Sequence, residues 1–137
     1  MVQPTQNRAM KLDHATIVTG DLEAARSFLC SIVGLSEGPR PPFSIGGHWL
    51  YAEGQPAVHL IEAPDATSAR QASPRIDHIA LRVNTAHEWS ALLERMRLSR
   101  VPYELSEVPL TGERQLFVAM APGIVIELVT DQQSSAP

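Results

Sequence analysis

Two tripeptides echo each other along this chain. Leu12-Asp13-His14 and Ile76-Asp77-His78 stand 64 residues apart, and the likeness runs on past the histidines. The first is followed by Ala15-Thr16-Ile17-Val18, a polar break and Asp21. The second is followed by Ile79-Ala80-Leu81-Arg82-Val83, a polar break and Thr85. Asp21 and Thr85 are also 64 apart. Both are residue types whose side-chain oxygen accepts an orphan amide at a helix N-terminus. The pattern predicts two copies of one unit, each opening with a histidine-bearing strand and continuing into a helix.

At 137 residues the chain is about one domain's worth. A hydrophobic fraction of 44% and a charged fraction of 19% match a soluble globular protein. The formal net charge is -4 and no basic run stands out, which argues against a nucleic-acid partner. The polar start, Met1-Val2-Gln3-Pro4-Thr5-Gln6-Asn7, lacks the apolar core of a signal peptide, and no apolar run is long enough to span a membrane. Cys30 is the one cysteine and has no internal disulfide partner. A cytoplasmic location fits these features.

Read in order, residues 1–10 are expected to be a disordered leader. Lys11 to Val18 alternates as a strand, with Leu12, His14, Thr16 and Val18 on one face. Asp21 to Val33 reads as a helix with Leu22, Ala25, Leu29 and Ile32 as its apolar stripe, and Gly34 ends it. The Pro- and Gly-rich stretch 36–47 is loop, with a weak strand within 35–45. His48 to Glu53 and Ala57 to Glu62 form a hairpin. Residues 63–74 are expected to link the modules 11–62 and 75–130. Arg75 to Val83 is the second histidine strand. Thr85 to Leu98 is the second helix, with Thr85 and Glu88 as a capping box and Trp89, Leu92, Leu93 and Met96 buried. Strands at 103–108, 114–119 and 124–130 follow, and 131–137 is a polar tail. The expected fold class is α+β, built from two βαβββ modules.

Polar residues inside apolar strands carry the functional signal. His14 and His78 lie on the first strand of each copy, and His59 and Glu127 on the last. Glu127, between Val125-Ile126 and Leu128-Val129, is the sharpest of them, because a carboxylate buried there must be met by a cation or by strong donors. Alternation sends Ile124, Ile126 and Leu128 to the helix side and Glu127 to the open face. It sends Ile79, Leu81 and Val83 to the helix, and His78, Ala80 and Arg82 to the open face. Three imidazoles and a carboxylate suit one divalent Zn, Ni, Fe or Mn. Arg82 is a candidate for binding an anionic substrate, or an edge-exposed arginine. Trp49, Tyr51 and Phe117 line a pocket or belong to the core. His48 reads as structural or rim, His87 as exposed, and Cys30 as an inert thiol.

At these residues the chain resembles the vicinal oxygen chelate superfamily, which holds glyoxalase I, methylmalonyl-CoA epimerase, extradiol dioxygenases and bleomycin-resistance proteins. The resemblance covers roughly residues 11–130. It rests on Leu12-Asp13-His14 with Asp21 to Phe28, on Gly34-Leu35, on Ile76 to Ala80 and on Pro122 to Leu128. It implies paired βαβββ modules whose curled sheets surround a metal cleft, with ligands at His14, His59, His78 and Glu127, or at His14, His78 and Glu127 alone. It also implies a small-molecule substrate and a homodimer. Phe28-Leu29-Cys30 stands where the family often has an aromatic-tyrosine pair, and His59 where glyoxalase I usually has an acidic residue or glutamine. Both departures weigh against lactoylglutathione lyase activity.

The leading expectation is a metal-dependent lyase or isomerase, in which the ion acts as a Lewis acid on two neighbouring substrate oxygens and Glu127 is both ligand and candidate base. One alternative is an Fe(II) extradiol-type dioxygenase using His14, His78 and Glu127. The other is a non-catalytic drug- or metabolite-binding protein like the bleomycin-resistance members.

Overall fold

The computed structural model describes residues 10–63 and 74–131. Nearly all of the expected leader, linker and tail lies outside these residues. The elements are β1 (Met10–Thr19), α1 (Leu22–Ser27), a π-helical segment (Phe28–Val33), β2 (Ser36–Gly38), β3 (Gly47–Ala52) and β4 (Gln55–Glu62). They continue with β5 (Arg75–Val83), α2 (Ala86–Leu98), β6 (Glu104–Glu107), β7 (Arg114–Ala121) and β8 (Ile124–Thr130). The order βαβββ therefore occurs twice, and the fold class is α+β as the sequence predicts. Neighbouring strands run β2-β3-β4-β1 in the first set and β5-β8-β7-β6 in the second. In each set the first strand lies beside the last. No helix among the described residues is long and apolar enough to cross a membrane.

By contact the chain divides into two compact units, His14–Ile79 and Met1–Asp13 with Ala80–Pro137. In the first, β2, β3 and β4 pair antiparallel, and β4 pairs parallel with β1 from Ala15↔Val58 to Thr19↔Glu62. Val18, Leu50 and Leu60 are its buried apolar residues. The β3–β4 turn is tighter than the sequence predicts, with Ala52 paired to Gln55. Glu53 and Gly54 both take positive φ, at 51° and 76°, and strand pairing resumes at Gln55. Two left-handed residues in succession match the twist of the flanking strands. Gly47 is obligatory because a Cβ there would come within 2.1 Å of the Leu60 carbonyl oxygen.

The helix that follows β1 departs from expectation. Asp21 caps it as predicted, accepting from the Ala24 amide at 3.0 Å. From Phe28 the turns widen to π geometry, and the amides of Gly34 and Leu35 both donate to the Leu29 carbonyl at 3.0 and 2.9 Å. Gly34, at φ 102°, ends the segment. A π turn advances each residue by a smaller angle than an α turn, so an apolar stripe drawn at α spacing drifts off its face. Ile32, expected on the buried stripe, is 74% exposed, and neither helical piece contains a fully buried residue.

The second unit holds the larger apolar core. Trp89 and Leu92 of α2 pack with Val83, Leu116 and Leu128, and Leu81, Leu93, Met96, Val118 and Ile126 surround them. The expected stripe on α2 is thus the one that packs. The alternation of β5 and β8 also holds, since Leu81, Val83, Ile126 and Leu128 face this core. Ile79 and Ile124, at the outer ends of the same rows, are partly exposed at 38% and 45%. Thr85 caps α2 by accepting from the Glu88 amide at 3.0 Å. The Glu88 carboxylate also accepts from Arg95 at 3.5 Å. Strands β6, β7 and β8 form an antiparallel meander, and Thr130 donates its hydroxyl to the Val83 carbonyl at 2.8 Å.

Trp89 is the largest fully buried side chain among the described residues, and it packs with Val83 of β5, Leu116 of β7 and Leu128 of β8. Trp89→Ala is expected to cost about 3–5 kcal/mol of unfolding free energy, read as a lower denaturant midpoint. A loss under about 1 kcal/mol would contradict this core.

Candidate functional site

The three strand histidines meet in the His14–Ile79 unit. β1 and β4 are in parallel register at Thr16↔His59, and β3 and β4 in antiparallel register at Trp49↔His59. Residues directly opposite on paired strands share a face. The indole of Trp49 accordingly lies flat on the His59 ring, with centroids 4.1 Å apart and planes at 12°. His59 in turn stacks on His14 at 3.6 Å and 17°. His78 meets His14 edge-on, at 6.1 Å and 74°. Phe43, from the loop before β3, tilts against Trp49 at 6.2 Å, and the Arg40 guanidinium lies over Phe43 at 5.1 Å. His14 and His59 are buried, and the His78 side chain is nearly so.

His78 carries an orienting partner beside it in the chain. Its Nδ1 lies 2.9 Å from the Asp77 carboxylate, which is 3.5 Å from Arg75. An ionised carboxylate only accepts, so in neutral His78 this bond places the proton on Nδ1 and makes Nε2 the lone-pair nitrogen. That tautomer is the one a metal-ligating histidine needs at Nε2.

Glu127 belongs to the other unit, on β8, and is 2% exposed. Its neighbours Ile126 and Leu128 point into the core against α2, which turns the carboxylate to the opposite face. Phe117 of β7 stands directly across from it. The Gln115 amide, two residues away on β7, donates to Glu127 Oε2 at 3.0 Å, and the Ser106 hydroxyl donates to Gln115 Oε1 at 2.9 Å.

Arg82 lies in the same unit. Its Nε is 2.7 Å from Asp13 Oδ1 and its Nη1 is 2.9 Å from Glu113 Oε2. Burial works against its charge, but the two carboxylates outweigh burial and raise the guanidinium pKa above its ordinary value. The two Asp-His tripeptides thus use their aspartates differently, Asp13 to hold an arginine and Asp77 to orient its own histidine. Tyr51 is engaged within its hairpin. Its hydroxyl donates to the Pro39 carbonyl at 2.5 Å, and its ring covers Gly38, where a Cβ would lie 2.6 Å from the ring. His48, read as structural or rim, pairs with Glu37.

Sequence reasoning missed Gln115, the orienting role of Asp77 and the Phe43–Trp49 contact. Gln115 had a signal: it is two residues from Phe117 on one strand face. The Asp77 role had none, because an aspartate beside a histidine has equal access to other partners.

The model of the Glyoxalase/Bleomycin resistance protein/Dioxygenase superfamily matches residues 11–128, and the chain belongs to that superfamily. No curated protein matches the chain. Among solved structures it is similar to methylmalonyl-CoA epimerase of Mycobacterium tuberculosis, at 22% identity and TM-score 0.71, over 97% of this chain and 94% of that one. It is similar to the Mn(II)-bound glyoxalase of Novosphingobium aromaticivorans, at 18% identity and TM-score 0.66, over 94% of this chain and 43% of that one. A variant of homoprotocatechuate 2,3-dioxygenase of Brevibacterium fuscum aligns at 15% identity and TM-score 0.68, over 92% of this chain and 33% of that one. At these identities the likeness shows the fold.

Two substitutions check the local geometry. Arg82→Met leaves Asp13 and Glu113 without their shared cation. It is expected to cost on the order of 2–4 kcal/mol of stability in denaturant unfolding, less than a fully buried pair because Arg82 keeps some contact with water. Asp77→Ala is expected to turn the single Nδ1–H tautomer of neutral His78 into a mixture, seen in the imidazole 15N shifts. Unchanged shifts would show that Asp77 does not set the tautomer.

Proposed function

We propose that the protein is a metal-dependent lyase or isomerase acting on a small substrate that offers two neighbouring oxygens, with His14, His78 and Glu127 as the metal ligands. The observation that carries this reading is the donor set. Two imidazoles and one carboxylate sit unexposed on otherwise apolar strands, and together they are donors of the kind that hold a metal ion. Such a set fits a divalent transition ion and is costly to bury for any lesser purpose. Superfamily membership supports a metalloenzyme, and the epimerase, similar in length, supports isomerase chemistry over the longer dioxygenase.

When bound, a divalent ion supplies Lewis-acid polarisation of the chelated oxygens. The chain's own residues supply the rest. The Asp77 carboxylate keeps the His78 proton on Nδ1. Trp49 and His59 fix the plane of the His14 ring by stacking. Glu127 is the candidate base, its carboxylate receiving a proton from the substrate carbon. Arg82, Trp49, Tyr51 and Phe117 are the proposed substrate-binding residues. The reading extends to a homodimer of two-module chains, 11–62 and 75–130, which is what the family resemblance supports.

A second reading, an Fe(II) extradiol-type dioxygenase, is favoured by one observation. His59 is sandwiched between Trp49 and His14 and falls outside the three-ligand group. Two histidines and one carboxylate with open positions is the ligand pattern of non-haem iron oxygenases.

Metal content measured by elemental mass spectrometry, on protein purified without chelator or affinity tag, tests both. About one Zn, Ni, Fe or Mn per chain is expected, and none in His78→Ala. Iron together with oxygen uptake on catechols moves the assignment to the second reading. A chain that stays metal-free after reconstitution overturns both and leaves a ligand-binding protein of the bleomycin-resistance kind.

A further inference from the structure

We infer that Gln115 is a positioning residue for Glu127. Its side-chain amide, itself oriented by Ser106, pins one carboxylate oxygen so that the group meets a cation in one fixed orientation. The inference rests on the reading of Glu127 as a metal ligand and adds two residues that the ligand set does not contain.

Strand register builds the arrangement. Ser106 of β6 is directly paired with Gln115 of β7, and Gln115 is diagonal to Glu127 of β8, because Phe117 is the residue directly across from Glu127. Diagonal neighbours lie within reach of a long polar side chain, and the three residues share one sheet face. They form a chain across three adjacent strands, from an exposed serine on β6 to a fully buried carboxylate on β8.

The hydrogen bonds have a sense of direction. An ionised carboxylate only accepts, so the Gln115 NH2 must face it, and this turns Gln115 Oε1 away. That oxygen needs a donor, and the Ser106 hydroxyl supplies it at 2.9 Å. Reversing the amide would set its carbonyl oxygen against Glu127 Oε2 at the 3.0 Å now spanned by a hydrogen bond. Serine therefore fixes glutamine, and glutamine fixes the carboxylate. The chemistry of the donor matters as well. A lysine or arginine at this position would bring a positive charge against the one the ligand is meant to bind. A neutral amide holds the oxygen and leaves its full negative charge for the cation. Gln115 is partly buried, which keeps water from competing for the bond.

A purely structural cross-strand hydrogen bond has the same geometry, so the test must separate the two roles. Co(II) affinity is measured by chelator competition, and the visible absorption bands of the bound ion report its coordination. Gln115→Met keeps the volume and removes the amide. It is expected to weaken Co(II) binding roughly 10–100-fold and shift the bands, which a merely structural bond would leave in place even where its loss lowers the unfolding midpoint of the metal-free protein. Ser106→Ala is expected to move affinity and bands the same way by less. With Glu127→Gln already in place, Gln115→Met should change affinity by less than about twofold, because its effect passes through Glu127.

Wild-type affinity and bands in Gln115→Met would overturn the inference and leave the metal site standing, as would an equal loss in the Glu127→Gln background. A Gln115→Met protein that weakens beside an unchanged Ser106→Ala would remove the serine from the chain and keep the glutamine. Wild-type protein that binds no Co(II), or binds it undiminished in His78→Ala, would overturn the metal reading and this inference with it.

Discussion

A carboxylate taken out of water on β8 is the constraint that organises its unit. Glu127 is 2% exposed in a strand made, up to its terminal Thr130, of valine, isoleucine and leucine otherwise. Leaving an ionised group in such a place without donors costs several kcal/mol, roughly the stability margin of a small domain. The strand period makes the placement unavoidable. Because Ile126 and Leu128 must reach Trp89 and Leu92 of α2, Glu127 must turn the other way, and the core that holds the unit together also aims the carboxylate. The meander then meets it with a neutral donor, Gln115, backed by Ser106.

The His14–Ile79 unit handles its buried polar groups by a different device. Imidazole rings have apolar faces and polar edges, so a row of stacked rings buries faces and keeps the edges in hydrogen-bonding positions. Parallel pairing of β1 with β4 and antiparallel pairing of β4 with β3 bring His14, His59 and Trp49 into such a row. In this row the His59 ring lies between those of His14 and Trp49.

Much of this was legible in the chain. The doubled Leu/Ile-Asp-His pattern located both first strands, and Asp21 and Thr85 located both helix starts, because capping is a local interaction between residues three apart. The stripe on α2 and the alternation on β5 and β8 followed from period alone. The fate of Ile32 was not legible. A π turn is indistinguishable from an α turn in composition, and one such turn is enough to swing an isoleucine from a predicted core face to solvent. Nor was the split use of Asp13 and Asp77 legible: the first bonds Arg82, 69 residues away, and the second bonds its own neighbour.

The sequence by itself determined what depends on neighbours a few residues apart: the βαβββ order, the caps, the glycine stops, and which strand positions carry histidine or glutamate against an apolar background. Tertiary structure alone decided what depends on register. Sliding one strand by two residues keeps every side chain on its face yet changes every partner. Pairings such as Trp49 with His59, or Ser106 with Gln115 and so with Glu127, have no signature in any single segment. They exist because strands align to close their hydrogen-bond ladders and seat their apolar rows at the same time, and the polar groups take whatever partners that alignment gives them.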